Sequence, residues 1–249
     1  VLKGYARYTG LNSEQITVTR GADEGIELLI RAFCTPGKDS VLVCPPTYGM
    51  YAISANTFNV GVHKVPLNPD FSVNTTEVCA QTNTVSVVFL CSPNNPTGTL
   101  VEQADIEAIA QAYQNKAIVV LDEAYIEFSA AKSQTALLAK YDNLVILRTL
   151  SKGFALAGIR CGFVLSSPAI KQVLLKVIAP YPIPDPVAQI ATQALNEEGL
   201  QIMHARVNAL SNELSVLSEQ LTHIDEIELV GNQCGNFVLF KSPRNPDLM

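Results

Sequence analysis

A chain of 249 residues with 48% hydrophobic content can bury one large domain, or one large and one partial domain, and its composition excludes a disordered segment. A formal net charge of −6 with no basic cluster excludes a nucleic-acid backbone as the expected partner, while small anionic ligands remain open at local sites. The six cysteines form no CxxC pair, the three histidines are scattered and no apolar run reaches bilayer length, which argues against a disulfide framework, a zinc cluster and a membrane span.

In chain order, residues Val1 to Thr9 read as a short helix ending near Gly10, and Gln15 to Arg20 as a β-branched strand. That strand runs through Gly21 to Gly25 into a helix over Ile26 to Phe33. A strand, a small-residue turn and a helix N-terminus leave free N–H groups at Ala22 and Asp23 that attract phosphate, although such turns also serve simply to reverse a chain. Ser40 to Cys44 is the next strand, and Pro45 to Tyr51 leave the sheet edge with Tyr48 placed to stack on a flat ring. For Tyr48 and Tyr51 alike, the default is a packed aromatic, and Tyr51 stays with it. Val60 to Leu67 reads as a third strand, with a polar loop over Asn68 to Ser72.

Thr84 to Cys91 reads as a long buried strand, ending in a rigid turn from Ser92 to Gly98 where the Asn95 amide can face a ligand and a cis bond before Pro96 is expected. A helix over Ala104 to Tyr113 precedes the buried strand Lys116 to Leu121, which terminates in Asp122. A carboxylate ending an apolar strand must be paired or serve a site, because burying it alone is costly. Thirty residues on, after a span that fits one helical crossover, the apolar strand from Leu144 delivers Thr149, Ser151 and Lys152 at its carboxyl end, where open α/β sheets bind ligands. Lys152 has small and apolar neighbours and no carboxylate within several residues, which suits an amine that condenses with a carbonyl. Arg160 follows, and with the two hydroxyls it suits a phosphate that accompanies an aldehyde. Pyridoxal phosphate meets both demands.

Cys161 to Leu165 reads as an antiparallel final strand, and Ala169 to Ile178 as a helix. The proline-rich stretch Ala179 to Pro186 reads as a hinge, Val187 to Leu221 as long helical structure broken near Asn196 to Gly199, and the last residues as two strands of an incomplete domain. The organisation expected is α/β: a doubly wound large domain over residues 1–180, then an interdomain helix and a truncated small domain over 181–249. A start at Val1 rather than Met reads as a piece of a longer protein. The thiols read as free and buried, in a reducing and therefore cytoplasmic compartment.

Taken together, Gly21 to Leu28, Cys44 to Tyr51, Ser92 to Gly98, Asp122 to Tyr125 and Thr149 to Gly162 resemble, in order and over nearly the whole chain, the fold-type I family of pyridoxal-phosphate enzymes. Within it they are similar to the histidinol-phosphate aminotransferases. The resemblance implies a mostly parallel seven-stranded sheet between helices, with pyridoxal 5'-phosphate carried by Lys152, which also moves the substrate's proton. It implies Asp122 against the pyridine nitrogen, Asn95 and Tyr125 on the ring oxygen, Tyr48 on the ring face, and Thr149, Ser151, Arg160 and the backbone at Ala22 and Asp23 on the phosphate. The implied activity is amino transfer between L-histidinol phosphate and 2-oxoglutarate, in a homodimer with shared sites. Aromatic aminotransferases, a threonine-phosphate decarboxylase and the ligand-binding module of a regulator share this shell and stay open. The family's N-terminal arm and substrate-clamping arginine lie outside the matched motifs, and Arg244 is read as a turn residue.

Overall fold

A computed structural model describes residues 1–242; Arg244 and the end of the 181–249 segment lie outside the described residues. Helix α1 (Leu2–Thr9) ends on Gly10, whose φ of 72° is the left-handed conformation a glycine adopts without strain. Then follow β1 (Ile16–Thr19), α2 (Ala22–Phe33), β2 (Ser40–Val43), α3 (Met50–Thr57), β3 (Gly61–Lys64), α4 (Thr75–Ala80), β4 (Val87–Cys91), α5 (Gln103–Ala112) and β5 (Ile118–Asp122). After them come β6 (Leu144–Thr149), β7 (Gly162–Ser166), α6 (Pro168–Val177), α7 (Asp185–Ala194), α8 (Glu197–Thr222), β8 (Glu228–Val230) and β9 (Leu239–Lys241).

Seven strands form one sheet in the order β1-β7-β6-β5-β4-β2-β3. The five strands from β3 to β6 are parallel, and β7 runs antiparallel to both β6 and β1. Because side chains alternate along a strand, each central strand feeds two cores. Val88, Leu90, Val119, Leu121, Leu144 and Ile146 join Tyr5, Ile106 and Met203 on one face, whereas Phe89, Val120, Val145 and Leu147 join Leu28, Tyr51 and Leu174 on the other. Layers on both faces explain why β4 to β6 read as unbroken apolar runs.

Four expectations need correction. The helix after Gly21 begins at Ala22, a turn earlier than its apolar periodicity shows, because its first turn carries Asp23 and Glu24. The third and fourth strands are shorter than their apolar runs, at Gly61–Lys64 and Val87–Cys91, the residues paired in register with a neighbouring strand; Val65 and Ser86 just outside them still donate to the Val43 and Ser40 carbonyls of β2. Helices α3 and α4 have no counterpart in the reading above; they are eight and six residues long, too short for a periodic pattern to stand out. Finally, β5 and β6 are joined by 3-10 turns at Ile126–Phe128 and Gln134–Ala139 in place of a crossover helix.

The break near Asn196 is a cap: its side chain accepts from the Gly199 N–H at 2.8 Å and starts α8. Ala191, Leu195, Met203 and Val207 belong to the large sheet's core, so α7 and the first half of α8 pack on it, while β8 and β9 form a separate antiparallel pair. The six cysteines are free, four of them buried. No helix among the described residues is long and apolar enough to cross a membrane.

Candidate active site

The carboxyl ends of β4, β5 and β6 open on one cavity, lined by Ala22, Asp23, Tyr48, Asn95, Asp122 and Tyr125 from the first half of the chain. Thr149, Ser151, Lys152 and Arg160 complete it, so all ten candidate residues share one space. Three residues not singled out from sequence, Cys91, Ala124 and Ala157, line it too.

At one end lies a cationic cradle. Gly21 precedes α2 with φ 87°, and a Cβ there would come within 2.7 Å of the Arg160 guanidinium. A Cβ on Gly162 would meet the Gly21 carbonyl carbon at 2.4 Å. Both glycines therefore let β7, Arg160 and the first turn of α2 close together, where the first-turn N–H groups have no intrahelical partner. Arg160 lies 3.4 Å from the Ser151 hydroxyl, and Thr149 donates to Ser151 at 3.0 Å. The Asp23 carboxylate occupies this cluster, 3.2 Å from Arg160 Nη2 and accepting from the Tyr48 hydroxyl at 3.0 Å. Burial and then the Asp23 charge raise the Tyr48 hydroxyl above the ordinary tyrosine range, so it remains a donor.

At the other end is Asp122, 3% exposed. Its carboxylate accepts from the Tyr51 hydroxyl at 2.7 Å and from the Ala124 N–H at 3.0 Å. Burial pushes it up to about 6, against the pull of those two donors. Between the ends, Lys152 Nζ lies 4.9 Å from the centre of the Tyr125 ring, which Phe237 meets edge-on at 5.0 Å. Asn95 reaches the cavity through a cis bond to Pro96, and its neighbour Asn94 ties the turn together by donating to the Pro46 carbonyl and to Thr97.

On the opposite face of the sheet, Arg148 is buried between Glu127, at 2.7 Å, and Glu123, at 3.4 Å. Ser133 and the Gln134 N–H also donate to Glu123. Sequence reasoning passed over Arg148, although an arginine inside the run Leu144 to Thr149 carries the same signal as Asp122: a buried charge that must find a partner. Tyr51 gave no such signal, because its partner lies 71 residues away. No group of three or more metal-binding side chains occurs among the described residues.

A lysine, a buried acid and an arginine cradle thus meet at the carboxyl edge of a mostly parallel sheet, the edge at which α/β folds bind ligands. The family model described as "Aminotransferase class I and II" matches residues 2–248, and the chain belongs to that family. It is 55% identical, over its whole length and 67% of the relative's, to a histidinol-phosphate aminotransferase of Pseudoalteromonas atlantica. It is 52% identical to the Vibrio cholerae protein of that name, over 98% of this chain and 70% of that one. Among solved structures it is similar to histidinol-phosphate aminotransferase from Clostridium acetobutylicum, at 25% identity and a TM-score of 0.87 over 96% of this chain and 71% of that one. The fold also matches the Sinorhizobium meliloti enzyme in complex with pyridoxal-5'-phosphate, at 22% identity and a TM-score of 0.88 over 97% of this chain and 65% of that one.

Proposed function

We propose that this chain binds pyridoxal 5'-phosphate and uses it for reversible amino transfer between L-histidinol phosphate with 2-oxoglutarate and imidazole acetol phosphate with glutamate, a step of histidine biosynthesis. The observation that carries the reading is the convergence of Lys152, Asp122 and the Arg160 cradle on one cavity, in a chain 55% identical to an enzyme of that name.

The residues present fit the cofactor at both ends. Two absent Cβ atoms, a helix N-terminus, two hydroxyls and a guanidinium suit a phosphate. A buried carboxylate with no cation in hydrogen-bond contact among the described residues suits a protonated ring nitrogen. When bound, the cofactor supplies an electron sink for the charge left at the substrate carbon as its proton departs. Lys152 would hold the cofactor through its amine and, once displaced by the substrate's amine, take and return that proton. Asp122 would keep the ring nitrogen protonated, Asn95 and Tyr125 would donate to the ring oxygen, and Tyr48 would cover the ring face. Thr149, Ser151, Arg160 and the Ala22 and Asp23 N–H groups would hold the phosphate, which requires the Asp23 carboxylate to give up Arg160.

We further propose the division 1–180 and 181–249, supported by the separate β8-β9 pair, and a homodimer, supported by the exposed apolar side chains Ile190 and Ile202 on α7 and α8. The free thiols support a reducing, cytoplasmic compartment.

Loading the protein with pyridoxal phosphate, reducing it with borohydride and mapping the modified peptide tests the lysine. The label should fall on Lys152 and vanish in Lys152→Ala; a label elsewhere overturns the assignment. Single-turnover conversion of histidinol phosphate against other amines then tests the substrate.

A further inference from the structure

Tyr51 is fully buried in the first turn of α3. Its ring stacks on Phe89 of β4, with centroids 4.8 Å apart and planes 4° from parallel, and meets Tyr48 at 5.6 Å with the planes 82° apart. A ring held in this way keeps its phenolic oxygen 2.7 Å from Asp122, with the Cys91 thiol as the hydroxyl's other neighbour. The Ala124 N–H holds the other carboxylate oxygen at 3.0 Å, so each oxygen carries one fixed donor and the plane of the carboxylate is set. The groups that face Asp122 are Tyr51 and Cys91 beneath it, Tyr48 and Asp23 beside it, and Lys152 across the cavity. Of these, Tyr51 is the side chain that donates to the carboxylate among the described residues. Burial, and then the neighbouring Asp122 charge, hold the Tyr51 phenol well above its ordinary range, so it stays a donor throughout the working pH range.

We propose that Tyr51 is a positioning residue for amino transfer: its hydroxyl fixes the Asp122 carboxylate in one orientation and steadies its charge, leaving the remaining lone pairs toward the cavity. The bearing on the reaction rests on Asp122 being the ring-nitrogen partner proposed above. Hydrogen bonding to a carboxylate favours the ionised form, and a donor whose ring is already held by packing does so with little further loss of side-chain entropy.

Tyr51→Phe keeps the ring and its stack and deletes only the donor. The test follows the Asp122 carboxyl by infrared difference spectroscopy in the cofactor-free protein, with Asp122→Asn as the blank. The titration midpoint should rise by roughly 1 pH unit in Tyr51→Phe, the equivalent of one lost hydrogen bond. Fluorotyrosine at position 51, a stronger donor, should move it down, and this second substitution leaves the packing almost untouched. Pyridoxal phosphate should then bind roughly tenfold more weakly to Tyr51→Phe at pH 8, with no further loss when Tyr51→Phe is added to Asp122→Asn. A midpoint unmoved by both substitutions overturns the proposal. A midpoint that moves while Asp122→Asn binds pyridoxal phosphate like the parent overturns the reading of Asp122, and with it the bearing on the reaction, and leaves the hydrogen bond itself intact.

Discussion

Asp122 and Glu123 are consecutive, both buried, and serve opposite faces of the same sheet. Glu123 meets the guanidinium of Arg148, the Ser133 hydroxyl and the Gln134 N–H, while Asp122 meets a phenol and one N–H. Burial pushes both carboxyls upward, and only Glu123 has a guanidinium pulling it back. A buried acid with a full set of partners holds a structure together, whereas one with no cation in hydrogen-bond contact among the described residues is poised for a ligand that brings the charge. Depth alone would have made the two residues equivalent; the partners separate them.

The sharpest way to break this contrast is to remove the cation that serves one side. Arg148→Met leaves Glu123 and Glu127 buried together, and stability should fall by about 3–5 kcal/mol in urea denaturation. Adding Glu123→Gln and Glu127→Gln should recover part of the loss; a single variant within about 1 kcal/mol of the parent would show that the pair is not holding β5 to β6.

Asp122→Asn keeps the shape and removes the charge on the other side. Amino transfer should slow by about 10³-fold, roughly 4 kcal/mol in the barrier, with the fold retained. Glu123→Gln should do the reverse, lowering stability while leaving the rate per folded molecule within about tenfold. Equal activity losses in the two variants would erase the distinction.

The pH dependence of the cofactor-free protein reads the same contrast at smaller size. Asp122 is raised from 3.8 to about 6 on folding, so between those values the folded chain binds more protons than the unfolded one. Its contribution therefore lowers stability as pH rises through that window, by up to roughly 3 kcal/mol once pH exceeds the folded value. Asp122→Asn should accordingly be more stable than the parent at pH 7.5, with the difference fading toward pH 4. A difference independent of pH would mean that Asp122 is not strained by its burial.

Much of this was legible in the chain. Strands β4, β5 and β6 announce themselves because residues buried on both faces are almost all Val, Leu and Ile, and the acid or lysine that ends such a run has nowhere neutral to go. The antiparallel β7 was expected from a strand that starts directly after the turn at Arg160, and it pairs that way with β6. What stayed hidden depends on contacts distant in sequence: α3 has no side-chain capping hydrogen bond, and the bond between Tyr51 and Asp122 exists only once β2 pairs with β4 and β4 with β5. The link from β5 to β6 was hidden for another reason. Its 3-10 turns are held by Glu123 receiving Ser133 and Gln134, a tether that leaves no periodic trace.

Because β7 runs against its neighbours, the loop from Leu150 to Cys161 leaves and re-enters the sheet at one edge. The Leu150 N–H donates to Cys161 and the Leu156 N–H to Leu150, each at 3.0 Å, while Ala155 and Arg160 adopt positive φ. Amine and guanidinium thus ride on one closed ring of backbone, like the two jaws of a calliper cut from a single plate. The bond between Leu150 and Cys161 closes the ring around both jaws and sets their span. One inserted residue between Lys152 and Arg160 would reset that span, whereas an insertion in the exposed turn around Asp70 would leave the gauge untouched.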